Sequence, residues 1–115
     1  MNSMKNKVQL IGHLGAAPEV KITANGNKYA RLRIATDEVY TNKQGEKVTD
    51  TTWHNVVAWD KTAEIIEQWL TKGTYVLLEG RLTNRQWEDK NGEKRYITEV
   101  LCNNVLVLEK KATVA

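Results

Sequence analysis

The stretch Tyr29-Ala-Arg-Leu-Arg-Ile-Ala-Thr36 alternates small or aliphatic side chains with larger, mostly polar ones at every second position. A period of two is typical of a β-strand, whose successive side chains point to opposite faces. The pattern places Ala30, Leu32 and Ile34 on one face and both arginines on the other. We therefore predict a strand with one buried face and one cationic face.

The same period recurs in four other segments, so the sequence predicts five strands in all. The predicted strands span residues 5–14, 29–36, 51–59, 75–87 and 95–108. Turn dipeptides stand between several of them, namely Asn25-Gly26, Gln44-Gly45 and Asn91-Gly92. Residues 38–50 are mostly polar, which is typical of the long, solvated tip of a hairpin.

One helix is predicted between the third and fourth strands. Its apolar residues lie near one face at helical spacing, and we expect all of them, including Trp69, in the core: Ala63, Ile66, Trp69 and Leu70. Asp60 is the predicted N-cap, since a carboxylate can accept the free N–H groups of a first turn. Lys72-Gly73 is expected to end the helix.

These elements predict an all-β fold, a five-stranded Greek-key antiparallel barrel of the OB-fold type with one helix between strands three and four. An SH3-like barrel also has five strands, and the position of the helix favours the OB-fold. With 115 residues and 41% hydrophobic side chains, the chain is expected to form one domain over residues 1–108. Residues 109–115 are expected to be a short C-terminal tail.

Composition excludes several classes of function. No apolar run approaches the length that spans a bilayer, and the first seven residues lack the apolar block of a signal peptide. We therefore expect a cytoplasmic protein with no membrane partner. The single Cys102 cannot form an internal disulfide, and no Cys/His cluster has metal-site spacing, so we predict no metal and no cofactor.

The sequence also lacks the motifs that are typical of catalytic sites. The chain has no phosphate-binding glycine loop and no His-Glu-x-x-His motif, and its two histidines are isolated. Acidic pairs at residues 37–38 and 88–89 are expected to be solvated loops. We predict no catalytic residue and no enzyme.

Aromatic and cationic residues give a stronger signal than the net charge of +3. Trp53 and Trp59 are six residues apart in one strand and therefore share a face, either as core or as a stacking platform. Trp87 lies on the same side of its strand as two arginines. Exposed rings beside cations are typical of proteins that bind single-stranded nucleic acid. The candidate residues are Lys7, Arg31, Arg33, Tyr40, Lys43, Trp53, Trp59, Lys61, Lys72, Arg81, Arg85 and Trp87.

Several segments resemble the bacterial single-stranded DNA-binding protein family, SSB, in order and spacing over residues 5–108. The most similar are Asn6-Lys7-Val8, Gly12-His13-Leu14-Gly15, Thr52-Trp53-His54-Asn55-Val56-Val57, Glu79-Gly80-Arg81-Leu82 and Trp87-Glu88-Asp89-Lys90-Asn91-Gly92. The resemblance implies an OB-fold subunit of a homotetramer, a dimer of dimers, around which single-stranded DNA wraps.

The resemblance also implies roles for individual residues. Trp53 and Trp87 match base-stacking tryptophans, and Trp59 and Tyr40 stand where other aromatic residues stack. Asn55 replaces a common arginine of the DNA path, and His54 matches a histidine at the subunit interface. Cationic positions of that path are matched by Lys7, Lys43, Lys61, Lys72 and Arg85.

The implied function is sequence-tolerant binding and protection of single-stranded DNA in replication, recombination and repair, in the nucleoid-associated cytoplasm. Family members usually end in an acidic tip that recruits replication and repair proteins, and residues 108–115 lack one, so recruitment is not expected. A short natural form and a truncated chain would both end this way. The alternatives are a primosomal accessory protein, an OB-fold for RNA or oligosaccharide, and a small metal-independent enzyme.

Overall fold

The computed structural model describes residues 4–109, in which six strands and one helix follow one another. These are β1 (Val8–Leu14), β2 (Glu19–Ile22), β3 (Lys28–Thr41), β4 (Lys47–Trp59), α1 (Asp60–Trp69), β5 (Tyr75–Glu88) and β6 (Lys94–Glu109). All five predicted strands are present. β6 continues one residue beyond the predicted domain boundary, to Glu109, and the rest of the predicted tail lies outside the described residues.

Strand β1 closes the sheet into a barrel because it pairs with a strand on each side. It pairs antiparallel with β5 along Val8–His13, and antiparallel with β3 at His13 and Leu14. The ring therefore runs β1-β5-β6-β4-β3 and back to β1, while β2 pairs only with β3 at its outer edge. The predicted barrel of five strands is confirmed.

Two details of the predicted topology are wrong. The helix lies between the fourth and fifth strands, because the short β2 precedes β3 and shifts the numbering. The four residues of β2 pair with β3 alone, and so short a segment carries no clear alternation. The barrel is also not wholly antiparallel, since β4 and β6 run parallel where Val56 and Val57 pair with Val100 and Leu101.

The barrel interior is filled by the faces that the alternation predicted to be apolar. Its buried residues come from five strands, from the helix and from the residue that follows the helix: Leu10, Leu14, Ala30, Leu32, Ile34, Val56, Ala58, Ala63, Ile66, Leu70, Val76, Leu78, Val100 and Cys102. Cys102 is a free thiol, and its burial raises its pKa to about 11. It therefore acts as a small core residue, as buried cysteines usually do.

Helix α1 departs from the prediction at both ends. Trp59, in an extended conformation, is the N-cap and makes no side-chain capping hydrogen bond, while Asp60 is already the first helical residue. The helix ends at Trp69, three residues before Lys72, because Leu70 turns to an extended conformation. Trp69 is half exposed rather than in the core, since it lies at the edge of the buried stripe of the helix.

The predicted turns are confirmed, and each uses a glycine with a positive φ that other residues rarely adopt. In the β3–β4 turn, Asn42 Oδ1 accepts the backbone N–H groups of Gln44 and Glu46, and Gly45 has φ 79°. Asp89 has the same role in the β5–β6 turn. The Arg95 guanidinium also hydrogen-bonds Asp89 and holds the pKa of that carboxyl below its usual range.

Barrel closure predicts a large effect for Gly12→Ala. A Cβ at Gly12 would lie far inside van der Waals contact with the backbone oxygen of Ala35, which cannot rotate away. We expect the free energy of unfolding, measured in urea, to fall by about 2 kcal/mol or more. The matched control is Gln9→Ala, an exposed position of the same strand. Equal stability of the two variants would contradict the argument.

Candidate nucleic-acid interface

Pairing between β3 and β4 sets the positions of most predicted binding residues. The register places Tyr29 opposite Trp59, and Ala35 opposite Trp53, and opposite residues of an antiparallel pair share a face. Between them, Arg33 lies opposite Asn55. We call this side of the ladder the β3–β4 outer face, and it consists of Tyr29, Arg31, Arg33, Trp53, Asn55 and Trp59.

Neither of the two tryptophans on this face belongs to the core. Trp53 is 48% exposed and Trp59 is 41% exposed, so the alternative that they are core residues is wrong. The ring centroids of Trp59 and Tyr29 are 4.6 Å apart with an interplanar angle of 51°. Burial raises the pKa of the Tyr29 hydroxyl, which agrees with this packing.

Trp53 is held by a cation and by a glycine. The guanidinium carbon of Arg33 lies 4.8 Å from the centroid of the indole, within the range of a cation–π interaction. The six-membered ring of the indole packs against Gly15, where a Cβ would overlap it. The ring is therefore fixed in place although half of its surface remains exposed.

A second group of residues comes from the β5–β6 hairpin. The Arg85 guanidinium lies 5.6 Å from the centroid of the Trp87 ring and makes two hydrogen bonds, each 3.2 Å long, with the carboxylate of Glu99. Hydrogen bonding to Glu99 raises the pKa of Arg85. Trp87 is 43% exposed, whereas Glu99 is only 4% exposed.

Arg85 connects the two groups. It lines an open cavity of about 280 Å³ together with Tyr29, Arg31 and Trp59 of the β3–β4 outer face. A second cavity, of about 140 Å³, is lined by Arg31, Arg33, Asn55 and Glu99, among others. The β3–β4 outer face, Arg85 and Trp87 together form what we call the aromatic–arginine surface.

The remaining predicted residues are dispersed. Lys7, just before β1, makes a 3.2 Å ion pair with Glu79. By alternation along β3, Tyr40 lies on the side opposite Arg31 and Arg33, in the part of the hairpin that extends from the barrel. The others are exposed at single sites: Lys43 in the β3–β4 turn, Lys61 in the first turn of α1, Lys72 before β5, and Arg81 on β5.

His54 lies on the side of β4 opposite Trp53. Its Nε2 is 2.9 Å from Thr36 Oγ1, in a hydrogen bond that ties β4 to β3. The imidazole lines a wide groove of about 540 Å³ with Gln9 and Ile11 of β1 and with acidic residues of β3. This groove is separate from the aromatic–arginine surface.

The sequence prediction missed one residue of the aromatic–arginine surface, Tyr29, and two residues that contact it, Gly15 and Glu99. Tyr29 could have been found, since it alternates with Arg31 and Arg33 along the same strand. Gly15 lies beside Trp53 because its backbone N–H donates to the Arg33 oxygen and so continues the pairing of β1 with β3, which no local pattern reveals. Glu99 is 14 residues from Arg85, and their contact depends on the β5–β6 register, which no local pattern reveals.

Within residues 4–109, no three His, Cys, Asp or Glu side chains are arranged so that they could hold a metal ion. The described part of the chain contains no helix with the length and apolar character needed to cross a membrane.

The closed barrel, with α1 between β4 and β5, defines an OB-fold protein. Residues 5–108 match the profile of the Single-strand binding protein family, and the chain belongs to that family. It is 45% identical over 107 residues to Single-stranded DNA-binding protein 1 of Chlorobaculum tepidum, an alignment that covers 92% of this chain and 66% of that protein.

Solved structures show the same fold. An SSB from Plasmodium falciparum in complex with single-stranded DNA has a TM-score of 0.80 and 32% identity, covering 90% of this chain and 95% of that one. A deletion mutant of the single-stranded DNA binding protein from Thermus aquaticus has a TM-score of 0.78 and 34% identity, covering 90% and 50%. The chain thus spans just under two thirds of the Chlorobaculum relative and half of the Thermus chain.

The packing of Trp53 on Gly15 predicts a local effect for Gly15→Ala. The added methyl must displace the indole, and because a side chain can move, we expect a loss of stability below about 1 kcal/mol. The measurement is a ¹H–¹⁵N spectrum of the four indole N–H groups, in which the Trp53 signal should shift most. Ala16→Ser is the control at the neighbouring exposed position. An unmoved Trp53 signal would contradict the contact.

Proposed function

We propose that the chain binds single-stranded DNA with little sequence preference, by stacking bases on tryptophan rings and by holding phosphates with arginine and lysine. The observation that carries the proposal is the aromatic–arginine surface, where three half-exposed indoles alternate with guanidinium groups. Every base has a π-face, so stacking tolerates any sequence. Membership of the Single-strand binding protein family supports the same function.

The arrangement of the surface suits both parts of a nucleotide. Trp53, Trp59 and Trp87 offer ring faces, and each has an arginine close by for the phosphate that follows a stacked base. Asn55 stands between two of the rings and can offer its amide as a neutral hydrogen-bonding group. The packing of Trp59 on Tyr29 fixes one ring before DNA arrives, which reduces the entropy lost on binding.

The dispersed residues extend the proposed path beyond this surface. We assign Tyr40 to a further stacking position and the exposed cations to phosphates of a strand that wraps around the barrel. Lys7 must give up its partner Glu79 for this, and an exposed ion pair of this kind contributes little to stability. The cations so assigned are Lys7, Lys43, Lys61, Lys72 and Arg81.

The proposed role is non-enzymatic: protection of single-stranded DNA during replication, recombination and repair, in the nucleoid-associated cytoplasm. The domain responsible is residues 1–108. A strand held along stacked rings and paired phosphates is shielded from nucleases and from pairing with itself.

The test is a titration with oligo-dT followed by tryptophan fluorescence. In Trp53→Ala/Trp87→Ala, we expect affinity at fixed salt to fall at least tenfold, because each base stack contributes ~1–3 kcal/mol. Trp69→Ala is the matched control, since it removes an indole of similar exposure from α1. For the wild type, affinity should fall as salt rises, through release of counterions.

Competing ligands distinguish the proposed function from its alternatives. Duplex DNA, single-stranded RNA and oligosaccharide are added to the preformed complex at the same salt concentration. Only single-stranded DNA should displace the bound oligonucleotide efficiently. Unchanged affinity of the double tryptophan variant, or equal competition by duplex, would refute the stacking mechanism.

Self-association as a homotetramer, a dimer of dimers, belongs to the same proposal. β1 pairs with β5 through Val8–His13 but with β3 only at its last two residues, so most of one backbone edge is open. The groove that contains His54 runs along this edge. Exposed strand edges are usually covered in natural proteins, and a second copy of β1 would cover this one.

A dimer of dimers needs two different contacts between copies. An apolar area on β1, β5 and β6 suits the second contact. Ile11 of β1 is 46% exposed and Leu106 of β6 is 57% exposed, on either side of β5. Leu106 also lines a shallow cavity with Leu77, its partner in β5. Apolar side chains of this size, grouped on one sheet face, are typical of a contact surface.

Sedimentation of the free chain tests the assembly. We expect the wild type to sediment at four chain masses, and Leu106→Glu at a smaller mass because it places a charge in the apolar contact. Lys90→Glu, at the exposed tip of the β5–β6 hairpin, is the control and should remain a tetramer. A wild-type monomer at micromolar concentration would contradict the proposal.

A further inference from the structure

A buried carboxylate stands in a surface that is proposed to bind a polyanion. Glu99 is the one buried charged residue in the described range 4–109, and it lines the cavity between Arg31, Arg33 and Asn55. A buried charge is costly unless it is paired, and a negative charge here also repels phosphates. The presence of Glu99 therefore needs a reason other than attraction of DNA.

The contacts of Glu99 show what it holds. Arg85 Nε donates to Oε1 and Arg85 Nη2 donates to Oε2, so both carboxylate oxygens are engaged by one planar group. The backbone oxygen of Glu99 accepts a further bond from the Thr83 hydroxyl at 3.5 Å. Arg85 remains half exposed, and a guanidinium has five N–H donors, so three remain to meet a phosphate.

Trp87 depends on the same arginine. It lies near the end of β5, where the hairpin carries exposed residues, and the guanidinium of Arg85 stands over its ring. A ring in such a position samples several rotamers unless a neighbour restrains it. The order of contacts runs from the buried Glu99 through Arg85 to the exposed Trp87.

We propose that Glu99 is a positioning residue for DNA binding: it fixes the guanidinium of Arg85 and, through it, the ring of Trp87. The inference rests on the proposed function and deepens it. Ordering both side chains before binding removes an entropy loss that binding would otherwise include. Simple charge attraction predicts that removal of this negative charge strengthens the binding of an anion. Positioning predicts the opposite, a weaker binding.

The experiment is a double-mutant cycle on oligo-dT affinity at fixed salt, with Glu99→Gln made in the wild type and in Trp87→Ala. We expect Glu99→Gln to lower affinity about fivefold or more, the lower end of what one base stack contributes. In Trp87→Ala the loss should be clearly smaller, because the ring that it positions is absent and only the phosphate contact of Arg85 remains to be affected. A merely structural role would lower affinity equally in both backgrounds.

The matched control is Glu88→Gln, which removes an exposed carboxylate beside Trp87 on the same hairpin. Charge attraction alone predicts that both glutamine variants bind oligo-dT at least as tightly as the wild type. Positioning predicts that only Glu99→Gln loses affinity. Equal or tighter binding by Glu99→Gln would overturn the inference, and so would an equal loss in both backgrounds.

Thermal unfolding followed by circular dichroism shows whether Glu99→Gln folds. If it does not, Arg85→Lys tests the same inference. It keeps the positive charge but loses the two-point contact with Glu99, so we expect a similar loss of affinity that is also smaller in Trp87→Ala. If Arg85→Lys lowered oligo-dT affinity as much in Trp87→Ala as in the wild type, the inference would be overturned.

The outcomes separate this inference from the function on which it rests. A wild-type chain that fails to bind oligo-dT refutes the proposed function itself. A wild type that binds, with Trp87→Ala weakened and Glu99→Gln unchanged, leaves that function in place and refutes positioning by Glu99.

Discussion

Burial of one face of the β3–β4 ladder is the constraint on which the rest of the molecule depends. The side chains of Leu32 and Ile34 must enter the barrel, and a slip of one residue in the register would expose them and bury arginines instead. Because opposite residues share a face, the register that buries Ile34 also turns Trp53 and Trp59 outward. The outward position of these two rings is therefore a direct consequence of forming the core.

The alternation that produces this ladder is visible in the sequence, so the barrel and the shared face of Trp53 and Trp59 could be predicted. Elements whose side chains do not alternate clearly could not be predicted from the sequence. Strand β2 has four residues and pairs with β3 alone, so its pattern is too short to recognise. Helical spacing placed Trp69 in the core, but spacing does not show how wide the buried stripe is, and Trp69 lies at its edge.

Side-chain contacts between strands that are distant in sequence could not be predicted either. The bond between Arg85 and Glu99 requires the register of β5 against β6, which includes two irregularities. The position of Tyr40 relative to the other rings also depends on structure, because alternation along β3 turns it to the side opposite Arg31 and Arg33. Net charge was uninformative for a similar reason, since it does not show that Arg33 and Arg85 lie over the rings of Trp53 and Trp87.

The aromatic–arginine surface combines the β3–β4 and β5–β6 hairpins, whose backbones pair directly at few positions. β4 and β6 pair in parallel at only two positions, where Val56 and Val57 meet Val100 and Leu101. Glu99 directly precedes this pair in the chain, so its carboxylate reaches the boundary between the hairpins. The ion pair with Arg85 lies within the β5–β6 hairpin and places this arginine on the side of the hairpin that faces Tyr29, Arg31 and Trp59, with which it lines one cavity.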